Sequence, residues 1–325
     1  MLFRSLKFHP ILKQTLWGGE RIIPYKELAS GLSRVGESWE LSGMPGSESV
    51  VAEGPWAGST LSELIGRFGA ELLGKANYAR FGQEFPLLVK FIDAREDLSI
   101  QVHPDDELAR KRHGKSGKCE MWYVLEAEPG ASLLTGFSRP IAPAEYERRV
   151  ADNTLTDVLN RQAIASGDVF YLPAGRVHSI GKGSFIVEIQ QSSDITYRIY
   201  DFDRRDAAGN SRELHTELAR EAIDFESSEN SRITYAPENN QEVRLVTTPY
   251  FTTSLYTLTA RTRCDWSATD SFVAIVLLQG SGSLTDNEGN RIDVRQGETW
   301  LLPASTQWTE ITPHTATLRL LTSRI

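Results

Sequence analysis

The stretch from Gly167 to Arg198, GDVFYLPAGRVHSIGKGSFIVEIQQSSDITYR, decides the fold of this 325-residue chain. A tight turn at Gly167-Asp168 leads into a run of β-forming residues, and a second turn at Pro173-Ala174-Gly175 reverses the chain. The reversal presents His178 at the start of the next strand. A histidine in this position is expected at the rim or mouth of a β-structure.

The spacing of these residues, Gly-x5-Pro-x-Gly-x2-His, is the second sequence signature of the cupin β-barrel, and it is filled by Gly167, Pro173, Gly175 and His178. Near the C-terminus, residues 297–304 (GETWLLPA) repeat the spacing of residues 167–174 (GDVFYLPA). Five residues past the proline of each copy stand His178 and Trp308. We therefore predict a mainly β fold of two cupin-type jelly-roll barrels with short inserted helices, the second barrel without a metal site.

The chain is predicted to divide into three parts. Residues 1–225 form a catalytic N-terminal cupin domain with small helical elements, and residues 242–325 form a C-terminal cupin-like barrel. Residues 226–241 are polar, rich in Asn and Ser and without periodicity, so they are expected to be the linker. Capping patterns and helical apolar spacing place short helices in the first part, at residues 60–78, 105–113, 143–150, 155–159 and 212–225.

Two segments of the first part have strand patterns with an unusual residue. Residues 36–42, GESWELS, alternate, which predicts that Trp39 and Leu41 face one way and Glu40 the other. Residues 86–94, PLLVKFIDA, are apolar apart from Lys90 and indicate a buried strand. Lys90 is then either a buried cation or a lysine whose ammonium group snorkels to the surface.

Composition excludes several classes of protein. The chain is 40% hydrophobic and 24% charged, as in an ordinary globular protein, and its formal net charge of -8 argues against nucleic acid as a partner. The chain has only two cysteines, Cys119 and Cys264, and they stand far apart in sequence, which argues against a disulfide framework or a cysteine-based zinc knuckle. The N-terminus lacks the apolar region of a signal peptide, and no apolar run approaches a membrane span. We expect a cytoplasmic monomer or homodimer with no membrane partner.

Four residues have the pattern of a metal site. Gln101 and His103 lie two positions apart, so a strand turns both side chains to one face. Glu120 and His178 follow on other strands. Two imidazoles, one carboxylate and one amide oxygen form a mixed set that a divalent cation such as zinc accepts. Gln101 either binds the ion itself or orients a residue that does.

Several segments together carry a family resemblance, and their order and spacing are more specific than the turn motif alone. They are WGG at residues 17–19, GESWE at 36–40, LSIQVHPDDELA at 98–109, KCEM at 118–121, the turn before His178, and Glu188, Asp194 and Arg198. Over most of residues 1 to 206, the chain resembles the type I phosphomannose isomerases in their short bacterial form.

The resemblance implies a zinc-dependent enzyme of two cupin domains that interconverts mannose 6-phosphate and fructose 6-phosphate. It implies one Zn²⁺ per chain, or another divalent ion, at the positions matching Gln101, His103, Glu120 and His178. It also implies an active-site arginine at Arg198.

Isomerisation requires removal of a proton α to a carbonyl and its return to the neighbouring carbon through an enediol. Arg198, Glu188 and Lys118 are predicted to be catalytic, and Lys90 and Ser99 are predicted to bind the substrate, a small sugar phosphate. Glu188 is a candidate base, as is a metal-bound hydroxide. Alternatively, Glu188 orients Arg198 or a ligand histidine.

Two other functions fit a cupin with these ligands. Two histidines and one carboxylate also form the facial triad of non-haem iron oxygenases. Gln101, Lys118 and Arg198 argue against that reading, because oxygenase chemistry does not call for a cationic phosphate site. A non-catalytic sugar-binding cupin is the other alternative, and the intact ligand set argues against it.

Overall fold

A computed structural model describes residues 4–206, 208–226 and 230–325. In this part of the chain the strands are β1 (Leu6–Lys7), β2 (Ile11–Gly19), β3 (Val35–Met44), β4 (Ser47–Glu48), β5 (Leu87–Asp93), β6 (Ile100–Val102), β7 (Glu120–Ala127), β8 (Ser132–Phe137), β9 (Leu159–Ala163), β10 (Val169–Leu172), β11 (His178–Ile180), β12 (Ser184–Gln191), β13 (Tyr197–Tyr200), β14 (Arg232–Ile233), β15 (Val243–Thr247), β16 (Thr252–Leu258), β17 (Thr262–Asp265), β18 (Val273–Gln279), β19 (Ser281–Asp286), β20 (Arg291–Arg295), β21 (Thr299–Leu302), β22 (Trp308–Pro313) and β23 (Leu318–Arg324).

The helices are short, and two of them begin at a side-chain cap. The helices are α1 (Ile22–Tyr25), α2 (Leu61–Phe68), α3 (Ala70–Leu73), α4 (Lys75–Phe81), α5 (Asp106–His113), α6 (Pro143–Ala151) and α7 (Thr216–Ala222), with a 3-10 turn at Leu155–Val158. Thr60 and Glu63 form the predicted capping box of α2, and Asp105 caps α5 by accepting a hydrogen bond from Leu108 N. No helix in the described ranges is both long and apolar enough to cross a bilayer.

The strands form four sheets. The largest has the order β14-β10-β7-β12-β5-β3-β2, with β4 paired to β3, and the five-stranded sheet has the order β13-β6-β11-β8-β9. A six-stranded sheet has the order β1-β21-β18-β23-β16-β15 and a four-stranded sheet the order β17-β22-β19-β20, and apart from β1 their strands come from the second half of the chain. The mainly β prediction is therefore confirmed.

Clusters of buried side chains show how the sheets stack. One cluster lies between the eight- and five-stranded sheets and includes Trp122 and Leu133. A second fills the space between the six- and four-stranded sheets. A third cluster lies between the eight-stranded and the six-stranded sheet, the two large sheets, and in it Val187 and Val276 are both fully buried. Two sheet pairs are thus packed back to back, while closure of each pair into a jelly-roll barrel stays a prediction.

The repeated sequence motif corresponds to repeated strand pairing. Glu120 lies opposite Leu172 in the first pair of sheets, and Val273 occupies the same register opposite Leu302 in the second. Trp308 begins β22 as His178 begins β11. At these two positions, the second copy therefore has apolar side chains in place of a carboxylate and an imidazole.

The domain boundaries stay a prediction, and two pairings bear on them. β1 at the N-terminus pairs with β21 of the six-stranded sheet, and β14, within the predicted linker, pairs with β10 of the eight-stranded sheet. Residues 227–229 of that linker lie outside the described residues.

Two local predictions are wrong, each for an identifiable reason. A β-bulge between Trp39 and Leu41 turns Trp39 toward Lys90 and Leu41 into the core between the large sheets, so the two side chains do not share a face. The last helix begins at Thr216 rather than at residue 212, because His215 is tied to Arg198 by backbone and side-chain hydrogen bonds.

A buried ion pair connects the two halves of the chain. Lys26 Nζ donates to Glu40 Oε2 at 2.9 Å and also to the carbonyl oxygen of Gly297 in the second half. Both side chains of the pair are buried. We expect Glu40→Ala to lower the free energy of unfolding by about 3–5 kcal/mol, because it leaves the Lys26 ammonium buried without a counter-charge.

Chemical denaturation measures this change, with Glu147→Ala as the matched control. Glu147 pairs with Arg220 at 2.8 Å on the surface, and such exposed pairs contribute only about 0–1 kcal/mol. An equal loss of stability in the two variants would show that the buried pair has no special role.

Candidate active site

Three strands bring the predicted metal ligands together between the eight- and five-stranded sheets. His178 begins β11 and lies opposite Gln101 of β6, while His103 directly follows β6. Glu120 begins β7 in the facing sheet. The ligand atoms of His103, Glu120 and His178 all lie within 4.8 Å of one another, and all three side chains are buried.

Backbone hydrogen bonds orient both imidazoles. His103 Nδ1 lies 2.8 Å from the carbonyl oxygen of Ile195, and His178 Nδ1 lies 2.8 Å from that of Arg176. A carbonyl oxygen only accepts, so each Nδ1 carries a proton and each Nε2 presents its lone pair as an acceptor. Both Nε2 atoms face Glu120, and this arrangement is typical of histidines that bind a metal.

Charge in the site favours the metal-binding forms of the ligands. Burial and the Lys118 ammonium hold the pKa of His103 well below its usual value, so its imidazole is neutral near pH 7. Burial alone would raise the pKa of Glu120, but nearby positive charge, that of the Lys118 ammonium foremost, outweighs burial and holds that pKa well below its usual value. Glu120 is therefore an anion.

The donor set fits a divalent cation. His178 Nε2 lies 3.1 Å from Glu120 Oε1, and His103 Nε2 lies 3.6 Å from Glu120 Oε2. With the protons on Nδ1, the His178 contact joins two acceptors, which repel unless a cation lies between them. At the His103 contact, Lys118 Nζ lies near both atoms, 3.2 Å from His103 Nε2 and 2.8 Å from Glu120 Oε2. Within the described ranges, no side chain donates a well-aligned hydrogen bond to either Glu120 oxygen, although Lys118 Nζ is 2.8 Å from Oε2. Two imidazoles and one carboxylate are ligands that zinc prefers.

Gln101 and Ser99 adjoin this group. Gln101 Nε2 lies 3.3 Å from His178 Nε2, and Gln101 Oε1 accepts a hydrogen bond of 3.4 Å from Ser99 Oγ. As oriented, Gln101 presents its amide nitrogen to the site, so metal binding by Gln101 requires a half-turn of the amide. Its role as a ligand and the substrate-binding role of Ser99 stay predictions.

A row of buried charges of alternating sign extends from Glu120 across the eight-stranded sheet. Lys118 lies between Glu120 at 2.8 Å and Glu188 Oε1 at 3.9 Å. Lys90 lies 3.2 Å from the same Glu188 oxygen and 3.7 Å from Glu37. Lys90 is thus a buried, paired cation and does not reach the surface. Glu188 pairs with Lys90 and Lys118. Within the described ranges no hydrogen bond or ion pair joins Glu188 to Arg198 or to a ligand histidine, so its alternative role of orienting one of them stays a prediction.

Pairing also fixes the charge state of this row. Burial alone would lower the pKa of Lys90, but Glu188 and Glu37 outweigh burial and raise it. Burial would raise the pKa of Glu37, and Lys90 together with a hydrogen bond from Trp39 lowers it. Lys90 and Glu37 are therefore both ionised at neutral pH.

Arg198 lies beside the metal ligands in the five-stranded sheet. The sheet register forms one row from His178 to Gln101 to Arg198. Its Nη1 donates to the carbonyl oxygen of Glu213 at 2.9 Å, and its buried Nε has no hydrogen-bond partner in the described ranges. Burial and the neighbouring Arg212 lower the pKa of Arg198, which is ordinarily so high that the side chain stays cationic.

The structure adds three residues that the sequence analysis did not assign to the site. Trp122 donates from Nε1 to Glu188 Oε2 at 2.9 Å. Glu37 and Trp39 both contact Lys90, whose ammonium lies 5.1 Å from the Trp39 ring centroid. Strand alternation places Trp122 on the same face as Glu120, so the sequence could have predicted that Trp122 faces the site. The β-bulge after Trp39 has no signal in the sequence.

Comparisons with known proteins agree on one family. Residues 6–133 match the model of the phosphomannose isomerase type I catalytic domain. The chain is 34% identical to a probable mannose-6-phosphate isomerase, GmuF, of Bacillus subtilis over 92% of this chain and 93% of that protein. It is also 34% identical to the mannose-6-phosphate isomerase ManA of the same organism, over 93% and 94% of the two chains.

A solved structure extends the likeness to the whole fold. The crystal structure of the mannose 6-phosphate isomerase from Bacillus subtilis is 30% identical in sequence and superposes with a TM-score of 0.89, covering 99% of this chain and 100% of the other. The chain therefore belongs to the mannose-6-phosphate isomerase family, with residues 6–133 in its type I catalytic domain.

Proposed function

We propose that this protein is a metal-dependent aldose-ketose isomerase that interconverts mannose 6-phosphate and fructose 6-phosphate. One observation carries the proposal: a buried group of His103, Glu120 and His178 adjoins the ion row of Lys118, Glu188 and Lys90. The first group supplies metal ligands, and the second supplies a carboxylate and two ammonium groups for a negatively charged substrate. The names of the relatives at 34% identity support the same reaction.

We infer that the ion is Zn²⁺, one per chain, held by His103, Glu120 and His178. Gln101 is the fourth ligand once its amide oxygen faces the site. A divalent cation bound there polarises the carbonyl oxygen of the substrate and stabilises the negative charge that develops on it. The two Nδ1–H groups keep their bonds to backbone carbonyls, so the imidazoles need no reorientation to bind.

Glu188 is the proposed base that moves the proton between C1 and C2. Trp122 fixes one of its oxygens, Oε2, through a hydrogen bond, which leaves Oε1 on the side of Lys90 and Lys118. A carboxylate held in this way can take a proton from one carbon and return it to the next. Lys118 lies close enough to both Glu188 and Glu120 to connect the base with the metal ligands.

Local positive charge must attract the substrate, because the chain as a whole carries a formal charge of -8. Arg198, Lys90 and Lys118 supply it, with Arg198 stabilising the phosphate or the developing enediolate. Ser99 is the proposed hydroxyl contact to the substrate. A cationic site of this kind suits a sugar phosphate better than the dioxygen of an iron oxygenase.

We keep four further predictions about the molecule as a whole. These are a cytoplasmic location, a monomeric or homodimeric state, no nucleic-acid or membrane partner, and the division of the chain into residues 1–225, 226–241 and 242–325.

Metal removal tests the proposed function. We expect turnover of mannose 6-phosphate, followed by a coupled assay for fructose 6-phosphate, to fall to background after chelation, because the ion that polarises the carbonyl is then removed. Adding back zinc, manganese or cobalt one at a time should restore turnover, with zinc bound at one ion per chain. Full turnover in chelated, metal-free protein would contradict the proposal. Oxygen consumption with bound iron would favour an oxygenase instead.

A further inference from the structure

Gln190 is a buried polar residue next to the site for which the proposed mechanism has no use. It lies on β12 two positions after Glu188, so the two side chains share a face. Its register partner on β7 is Glu120, and its partner on β5 is Leu88. Directly opposite residues on neighbouring antiparallel strands have Cβ atoms only about 4.5–5.5 Å apart. The Gln190 side chain therefore begins beside that of Glu120.

Hydrogen bonds fix which way the Gln190 amide points. Its Nε2 lies 2.7 Å from the carbonyl oxygens of both Gln191 and Ser193. Carbonyl oxygens only accept, so the atom facing them must be the NH2 group, and both of its hydrogens are used. The other end of the planar amide, Oε1, is consequently directed away from the segment 191–193.

This carbonyl oxygen lacks a donor. Gln190 is 0% exposed, and none of the residues in the described ranges donates a hydrogen bond to Oε1. A buried acceptor without a donor is unfavourable, and a water, an ion or a ligand can supply the missing partner. The ammonium group of Lys118, two residues before β7, already contacts Glu120 and His103.

We propose that Gln190 Oε1 accepts a hydrogen bond from one hydroxyl group of the sugar phosphate and so positions the sugar beside Glu120. This inference rests on the proposed function. The partial negative charge of a carbonyl oxygen disfavours a phosphate, whereas a sugar hydroxyl donates readily. An amide also adds no net charge next to the Glu120 carboxylate, as a second acid would.

Binding of a substrate analogue to Gln190→Met tests this role. Methionine has a similar length and volume but offers no carbonyl acceptor. The probe is mannitol 6-phosphate, which has no carbonyl and cannot be isomerised, together with its derivatives that each lack one hydroxyl. Titration calorimetry on the zinc-loaded protein gives the affinities, and metal analysis gives the zinc content of both proteins.

We expect the variant to keep its zinc and to bind mannitol 6-phosphate about tenfold more weakly, the size of one hydrogen bond to a neutral acceptor. One deoxy derivative should bind wild type and variant equally, because it lacks the hydroxyl that donates the hydrogen bond to Gln190. Wild type provides a second test that does not depend on the stability of the variant: equal affinity for the parent probe and for every deoxy derivative would contradict the inference.

Three further results would overturn the inference. Unchanged affinity of the variant for mannitol 6-phosphate would show that Gln190 makes no hydrogen bond to the sugar. An equal loss for every derivative would show that Gln190 only holds the segment 191–193. Loss of zinc would assign Gln190 to the metal ligands. Failure of the proposed function is distinct, because wild type would then neither turn over mannose 6-phosphate nor bind the probe.

Discussion

His103→Ala is expected to abolish both zinc binding and isomerase activity while the protein stays folded. The substitution removes one of the three buried ligand groups that lie within 4.8 Å of one another. A metal ion stabilises developing charge by several kcal/mol, and each 1.4 kcal/mol is tenfold in rate, so the loss should be on the order of 10³-fold or more. Metal analysis and the coupled fructose 6-phosphate assay measure the two effects, and circular dichroism checks the fold.

His314→Ala is the matched control, since His314 is exposed and lies outside the site. It should keep both zinc and activity. His178→Ala should behave as His103→Ala does, because the second imidazole is held in the same way by a backbone carbonyl. Retained activity in either the His103 or the His178 variant would show that the substituted residue is not a required metal ligand.

Glu188→Gln is expected to keep the metal and lose turnover. Glutamine has the shape of glutamate and can still accept the hydrogen bond from Trp122, but it cannot take up a proton. Each neighbouring lysine keeps another carboxylate, Glu120 for Lys118 and Glu37 for Lys90, so the fold should tolerate the change. General acid-base catalysis contributes about 10²–10⁴-fold, and kcat should fall by that factor.

Steady-state kinetics and zinc analysis distinguish this outcome from loss of the site. Glu126→Gln, the same chemical change on an exposed residue of β7, serves as control and should leave kcat unchanged. If Glu188→Gln lowers zinc content together with activity, Glu188 supports the ligands and a different group moves the proton. Normal kcat in Glu188→Gln would exclude it as the base.

Much of the candidate site was predictable from sequence, because local rules place its residues. The Gly-x5-Pro-x-Gly-x2-His spacing gives the turn that delivers His178, and alternation turns Gln101 and His103 to one face. Alternation also places Glu188 and Gln190 on one face of β12. These relations depend on neighbours a few positions apart, which a single sequence contains.

The rest depends on contacts between distant segments. Lys90 was ambiguous from sequence because its partners, Glu188 and Glu37, lie on two other strands. The bulge that turns Trp39 toward Lys90 has no signature in GESWELS. Pairing of β1 with β21 joins residues almost 300 positions apart, and the back-to-back packing of the large sheets follows from such pairings.

Anomalous diffraction at the zinc edge, from crystals grown with zinc, tests the metal centre most directly. The account predicts one strong peak per chain, about 2.0–2.2 Å from His103 Nε2, His178 Nε2 and a carboxylate oxygen of Glu120. A peak elsewhere in the molecule, or no peak in crystals of active protein, would contradict it.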